Sequence, residues 1–484
     1  MNPERARTTL IGPVSIPGDR RRELVVLGCT AMAAAFLALP NFVQPRLLGD
    51  DFAILPESRD FATTIQNLWV PHNEHAMPLG RIAIWALVQI DANVDTLALR
   101  CAFQGPLAIA LATLLTYLFV RREWQQPLPA LLASALFGVS LRYLEVLVWY
   151  SASFWLLGFD TMLLALLAAQ RWRRSGRNID LALCVSFCAL APGWYAGGVL
   201  AGPFCVLYLL PRSGDSETKG VGRVRSLLPI LGTLLFLAAS LPQNASQIMH
   251  ARHYQGRTAW EAFDPIFGLI CTGRAIVDVL FVFTKPIGLS TCPPRLVPVL
   301  LAMMTGIAAW WNRRASRRII LLAVGMILGH YLLTFSPRGG WLYDPDMLQW
   351  TRYHLVPWFG MVLLIVNGLA ARNSRAETPV LGRRRAWQIG MLVVLLFTSQ
   401  VVSLAIGWSR EFKVFAIQQS LLARVAEVDR RCQRYRISAA DARAVLEPVE
   451  VPMSGGLNGW DWLRGSDQPV EHSPEEVRKL LGAE

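Results

Sequence analysis

Apolar runs long enough to cross a bilayer recur along nearly the whole chain, and no other feature constrains the fold as strongly. In lipid, every backbone amide and carbonyl must be satisfied within its own segment, so runs of about twenty apolar residues read as transmembrane helices. Hydrophobic residues make up 53% of the 484 and charged residues only 17%, too apolar a balance for a soluble protein of this length. The expected fold class is an all-α polytopic membrane protein.

The net charge of +13 could suggest a nucleic-acid partner, but its placement argues otherwise. Arginines gather in short segments between the apolar runs, at Arg121–Arg122, Arg171–Arg177, Arg212–Arg225, Arg313–Arg318 and Arg372–Arg385. That is the positive-inside pattern, and no aromatic-interleaved basic face accompanies it. With these arginines in the cytoplasm, spans are expected at 23–39, 97–119, 128–148, 152–170, 179–192, 195–210, 226–241, 296–311, 319–335, 354–371 and 387–406. This makes about eleven. The run 23–39 follows Arg20–Arg22 without a small-residue cleavage site, so it is read as a retained helix, with the N-terminus inside and the C-terminus outside. The run 263–290 would reverse the arginine pattern if it spanned, so a peripheral or re-entrant outer element is preferred. Residues 1–19 read as disordered. The domain division is a membrane domain over 1–406 and a small extracytoplasmic helical tail over 407–484. In that tail, Val414, Ile417, Leu421, Val425 and Val428 mark an amphipathic helix, and Ser473-Pro474-Glu475-Glu476 opens a final short one.

The first outer loop, 41–96, concentrates groups that a membrane tolerates poorly. Asp50 and Asp51 stand at the membrane exit, and His72, Asn73, Glu74 and His75 follow some twenty residues on. Between them Phe61, Ile65, Leu68 and Trp69 form one apolar stripe on a helix that Ser58 could cap, suited to lying on the bilayer surface. A second short helix, 79–91, starts after Pro78 and is too short to span.

Other polar residues share that end of the apolar runs: Arg100, Gln104, Glu145, Arg352 and Tyr353. A ring of ionisable groups at one face suggests a shared cavity opening outward. A carboxylate near an acceptor hydroxyl can act as general base while its neighbour orients it or holds a metal, which suits Asp51 and Asp50. The spacing His72-x-x-His75, repeated at His250 and His253, could place two imidazoles on a metal, bind a sugar, or be a solvated loop. Glu145 lies between hydrophobic residues and needs a partner; Arg142 or Arg100 would serve structurally, and a catalytic role is the other reading. A guanidinium such as Arg352 suits a lipid-linked phosphate, against the ordinary reading of a headgroup anchor; Lys285, Arg252 and Arg257 are weaker candidates. Trp149, Trp341, Trp350 and Trp358 read mainly as interfacial anchors, with stacking on a sugar open to one or two of them. The eight cysteines form no CxxC pair; Cys184 and Cys188 share a helix face and read as packing, and Cys271 and Cys292 could form a disulfide or remain thiols.

Taken with this layout, Gly49-Asp50-Asp51 at the head of the first outer loop, Glu145 within RYLEVLVWYSA and Arg352-Tyr353 before a late span resemble the GT-C superfamily of membrane glycosyltransferases, which includes protein O-mannosyltransferases and bacterial aminoarabinose transferases. The resemblance covers about 1–370. It implies inverting transfer of a sugar from a polyprenyl-phosphate donor to a glycan, lipid or protein acceptor in the cell envelope, outside a bacterial cytoplasmic membrane. Asp51 or Asp50 would be the base. Arg352, with Tyr353 and Lys285, would hold the donor phosphate, and His72, Glu74, His75 and Glu145 would face acceptor or sugar. Some members use a divalent metal, Mg or Mn, for which Asp50, Asp51 and His75 are the candidate ligands. Lacking a large soluble C-terminal domain, the chain departs from members acting on proteins. A transporter or flippase is the alternative from another class, with Asp160 and His330 as polar residues inside the runs; a non-catalytic assembly protein of the same fold is the third.

Overall fold

The structure is a computed structural model that describes residues 17–38, 41–42, 45, 47, 50–72, 76–90, 94–210, 224–250, 258, 260–280, 292–338, 351–373, 383–446, 466 and 468–482. Among these the regular structure is helical, with no β-sheet. Five helical stretches are long and apolar enough to cross a membrane: Thr96–Trp124, Tyr150–Ser175, Arg225–Gln243, Arg317–Phe335 and Arg352–Arg372. Shorter apolar helices, among them Pro127–Gly138, Asn178–Gly193, Ala196–Leu209 and Val297–Asn312, pack among them. The protein is therefore all-helical, with the apolar helices an integral membrane protein needs.

The order begins with α1 (Pro17–Phe36), then two short outer-loop helices, α2 (Phe61–Asn67) and α3 (Pro78–Ile90). Next come α4 (Val94–Ala102), α5 (Gln104–Trp124), α6 (Pro127–Gly138) and α7 (Tyr150–Ser175). They are followed by α8 (Asn178–Leu190), α9 (Ala201–Leu209), α10 (Leu228–His250), α11 (Pro265–Asp278), α12 (Val297–Asn312), α13 (Arg317–Phe335) and α14 (Leu355–Asn373). The chain closes with α15 (Arg383–Tyr435), α16 (Ala439–Val445) and α17 (Pro474–Leu481).

At the centre, α5, α6, α7 and α14 share one core. Phe137 meets Phe159 and Phe359 at ring distances of 5.2 and 5.6 Å, and Phe119, Leu163 and Val362 are fully buried beside them. The opposite face of α5 exposes Leu107, Leu111, Leu114 and Leu118, a stripe that only a lipid environment makes inexpensive. α7 ends where Gly176 takes the left-handed conformation at φ +66°, its amide bonded to the Trp172 carbonyl. Arg121, Arg122, Arg173 and Arg174 occupy the last turns of α5 and α7, where cations complement the helix dipole. Buried Glu123 joins these two ends to α9, accepting from Gln170 at 3.0 Å, Arg173 at 3.3 Å and the Tyr208 hydroxyl at 2.5 Å.

Several expected elements take a different form. The run 128–148 is not one helix: α6 stops at Gly138 and a separate short helix spans Glu145–Val148. In the turn between them Arg142 donates to the Val279 carbonyl at 3.0 Å and stacks 4.0 Å over Trp358. Within 263–290, expected as a peripheral or re-entrant element, the structure describes α11, 14 residues and about 21 Å long. Its first turn meets α13 at Ser336, where the Asp264 amide donates to the Ser336 carbonyl at 2.8 Å. α15 runs unbroken for 53 residues from the last apolar segment into the tail, across the division expected near 406. Residues 17–19, expected to be disordered, lie in α1. Cys271 and Cys292 are free, buried thiols.

Candidate active site

The outer loop folds as three short pieces: Asp51–Ile54, Pro56–Ser58 and α2. Asp60, not Ser58, caps α2. Its backbone is extended, and its carboxylate accepts from the Thr63 amide at 2.8 Å, while Ser58 is buried one turn earlier. The Thr63 amide holds the Asp60 carboxyl below its ordinary value. Of the expected stripe only Phe61 and Ile65 lie on α2, both exposed; the helix ends at Asn67, and Trp69 beyond it packs on Phe236 at 5.7 Å. Arg81 of α3 fastens the loop from beneath. It is fully buried and donates to Glu57 at 2.7 Å and to the Val70 carbonyl at 3.1 Å.

Asp51 is fully buried, and its Oδ1 accepts the backbone amide of Ser151 at 2.8 Å. Its neighbour Asp50 remains half-buried and faces the His72 ring, 3.8 Å from Oδ2 to Nε2. Glu145 accepts from the backbone amide of Arg352 at 3.3 Å and from its guanidinium at 3.4 Å. Thus the cation at Glu145 is Arg352, not Arg142 or Arg100; Arg100 donates to the Leu87 carbonyl at 2.7 Å. The Arg352 guanidinium also lies 5.0 Å from the Trp149 ring centre and 5.2 Å from that of Tyr353, and Asp50 acts on it electrostatically.

The junction Glu145–Ser151 links both groups. One end holds Arg352 through Glu145 and Trp149; the other holds Asp51 through Ser151. Around the Asp50–Asp51 pair, three buried polar side-chain atoms have no hydrogen-bond partner among the described residues: Ser151 Oγ and the Tyr150 hydroxyl on the Asp51 side, and His72 Nε2 facing Asp50. Buried polar atoms are normally paired, so these are the groups with hydrogen-bonding capacity left for a polar ligand or ordered water.

Of the expected site residues, Asp50, Asp51, His72, Glu145 and Arg352 are brought together. Tyr353 belongs to the wall, buried against Trp155 and Phe335 at ring distances of 5.5 and 6.2 Å. Glu74, His75 and Lys285 lie outside the described residues, as do Arg252, Arg257, Trp341 and Trp350. Ser151 carries no sequence signal of its own beyond its place in RYLEVLVWYSA. Arg81 was equally silent, a single arginine at a helix start. Among the described residues, the metal-capable trio of side chains is Cys184, Cys188 and Cys205, whose sulfurs all lie within 4.8 Å of one another. The carboxylates of Asp50 and Asp51 do not form such a trio with described residues.

His330 and Asp160 are buried inside α13 and α7, and neither side chain has a hydrogen-bond partner. The His330 ring lies edge-on to Trp155 at 5.8 Å. No protein-family model matches the chain, and no curated protein matches it.

Proposed function

We propose that the protein is a GT-C-type glycosyltransferase with about eleven membrane passages, using a polyprenyl-phosphate-linked sugar on the outer face of a bacterial cytoplasmic membrane. The observation that carries this reading is the junction Glu145–Ser151, which ties a buried carboxylate and a stacked guanidinium to one short segment. Asp51 takes the proton of the acceptor hydroxyl. The freed oxygen bonds to the anomeric carbon as the bond from that carbon to the phosphate oxygen breaks, inverting the centre. Arg352 stabilises the departing phosphate. A guanidinium offers five N–H donors, enough to hold Glu145 and a phosphate together. Asp50 and His72 flank the acceptor side. Mg or Mn, where one serves, would sit with Asp50 and Asp51.

The test is sugar transfer by purified protein supplied with a panel of labelled polyprenyl-phosphate sugars, with and without chelator. Asp51→Asn is expected to lose about 10²–10⁴-fold in turnover, the range for a general base. Arg352→Ala is expected to lose about 10²–10³-fold, the scale for one electrostatic donor in a dry site. Folded protein that neither turns over nor binds any donor would overturn the reading.

Transport of a polar solute is the second reading, favoured by one observation: Asp160 is buried without a partner inside a spanning helix. Under the transferase reading Asp160→Asn keeps turnover and raises thermal stability, because an isolated buried carboxylate is costly. Substrate uptake into vesicles that Asp160→Asn abolishes would instead favour transport.

A further inference from the structure

Far from Arg352, at the other end of α14, a second polar site is built from different parts. Arg352 and Arg372 bound one helical stretch, twenty residues and about 30 Å apart. There Arg313, Arg314 and Arg372 line a pocket of about 150 Å³ together with Trp310, Trp311 and Gly368. About 10–15 Å³ accommodates one water, so this pocket takes a group of headgroup size. Arg372 stacks 3.5 Å over the Trp311 ring and lies 5.1 Å from that of Trp310, while Arg313 is 5.7 Å from Trp310. Trp311 is fixed by its Nε1–H bond to the Ile365 carbonyl at 2.9 Å, and only glycine fits at 368, where a Cβ would fall 2.1 Å from the Trp311 ring.

Three cations therefore converge, and none makes an ion pair with a carboxylate among the described residues. Glu23, Glu123 and Asp180 neutralise Arg121, Arg173 and Arg171 at the same arginine-rich ends. Among the described residues the pocket thus lacks the anion that its neighbours possess. Its surroundings say what kind. Val299, Met303, Ile307 and Trp310 are all exposed and lie on one face of α12, an apolar track that ends at the pocket.

We propose that this pocket binds the headgroup of an anionic phospholipid, with the phosphate on Arg313, Arg314 and Arg372 and the acyl chains along the α12 track. Basic pockets between membrane helices hold such headgroups through charge and bidentate hydrogen bonds. Stacking on Trp311 leaves the guanidinium edge of Arg372 directed at the phosphate.

The experiment uses full-length protein in detergent, stripped of lipid and titrated with phosphatidylglycerol, cardiolipin or phosphatidylcholine, with bound lipid counted by native mass spectrometry. One anionic lipid per chain is expected to be retained with about a hundredfold preference over phosphatidylcholine, from three cations at the surface. Arg313→Gln combined with Arg372→Gln, both on exposed side chains, should reduce that preference to a few-fold. Arg122→Gln, a cation at the same end but outside the pocket, should leave it unchanged. Wild-type protein without anionic preference, or a double variant that keeps it, would overturn the proposal. Inorganic phosphate supplies the remaining arm. Heat protection by phosphate equal to that by phosphatidylglycerol would overturn the lipid source, and protection by the lipid alone would support it.

Discussion

Because the Thr63 amide depresses the Asp60 carboxyl below 3.8, Asp60 stabilises the outer loop only while it is ionised. The sign follows from linkage. A depressed carboxyl contributes stability above its unfolded value and loses it as pH falls through the lower folded value. Asp60→Ala should cost about 1 kcal/mol near neutral pH, and the gap in melting temperature between wild type and variant should close under acid. Arg352 poses a different question at this scale. Lysine would keep its charge but lose the planar fork and the face that lies over Trp149. Under the proposed function, Arg352→Lys should therefore fall between wild type and Arg352→Ala, with the larger change in donor KM. Equal turnover in the lysine and alanine variants would show that stacking and fork geometry, not charge, carry the interaction.

Among the elements, the junction between α6 and α7 depends on close approach. A Cβ at Gly105 in α5 would fall 2.3 Å from the Leu147 carbonyl, on the same segment that holds Asp51 and Arg352. Gly105→Ala should cost about 1–3 kcal/mol through overpacking, and turnover should fall with it, since the displaced segment carries both groups. Thermal melts and transfer assays on one preparation check this. Sequence patterns made most apolar helices legible: the runs 97–119 and 152–170 fall within the helical stretches Thr96–Trp124 and Tyr150–Ser175. They also brought out Asp51, Glu145 and Arg352, because charge beside long apolar runs stands out. The break after Gly138 was not legible. The segment 128–148 reads as one hydrophobic run, and its interruption depends on Arg142 and Glu145 finding partners at Val279 and Arg352, far away in the chain. The capping residue of α2 was missed for a local reason: Ser58 and Asp60 both have capping chemistry, and only backbone geometry distinguishes them.

At the scale of the whole molecule, two apolar clusters divide the work. The larger holds the membrane helices together. The smaller runs from Leu47, Ile54, Met77 and Tyr150, around the outer loop and the start of α7, to Val425, Cys432, Val477 and Leu481 in the tail. Val477 and Leu481 reach it through α17, whose capping box joins Ser473 and Glu476. Removing residues 474–484 should expose Val428 and Cys432 and speed proteolysis at the end of α15, while detergent-resistant helicity of the membrane part persists. Loss of that helicity on the same deletion would show that the two clusters fold as one unit. The unbroken course of α15 has a mechanical corollary. Its 53 residues extend about 80 Å, well over twice the thickness of a hydrocarbon layer. A rod of that length acts as a lever: a few degrees of tilt near its membrane end displaces the tail, and the loop surface beneath it, by several ångströms.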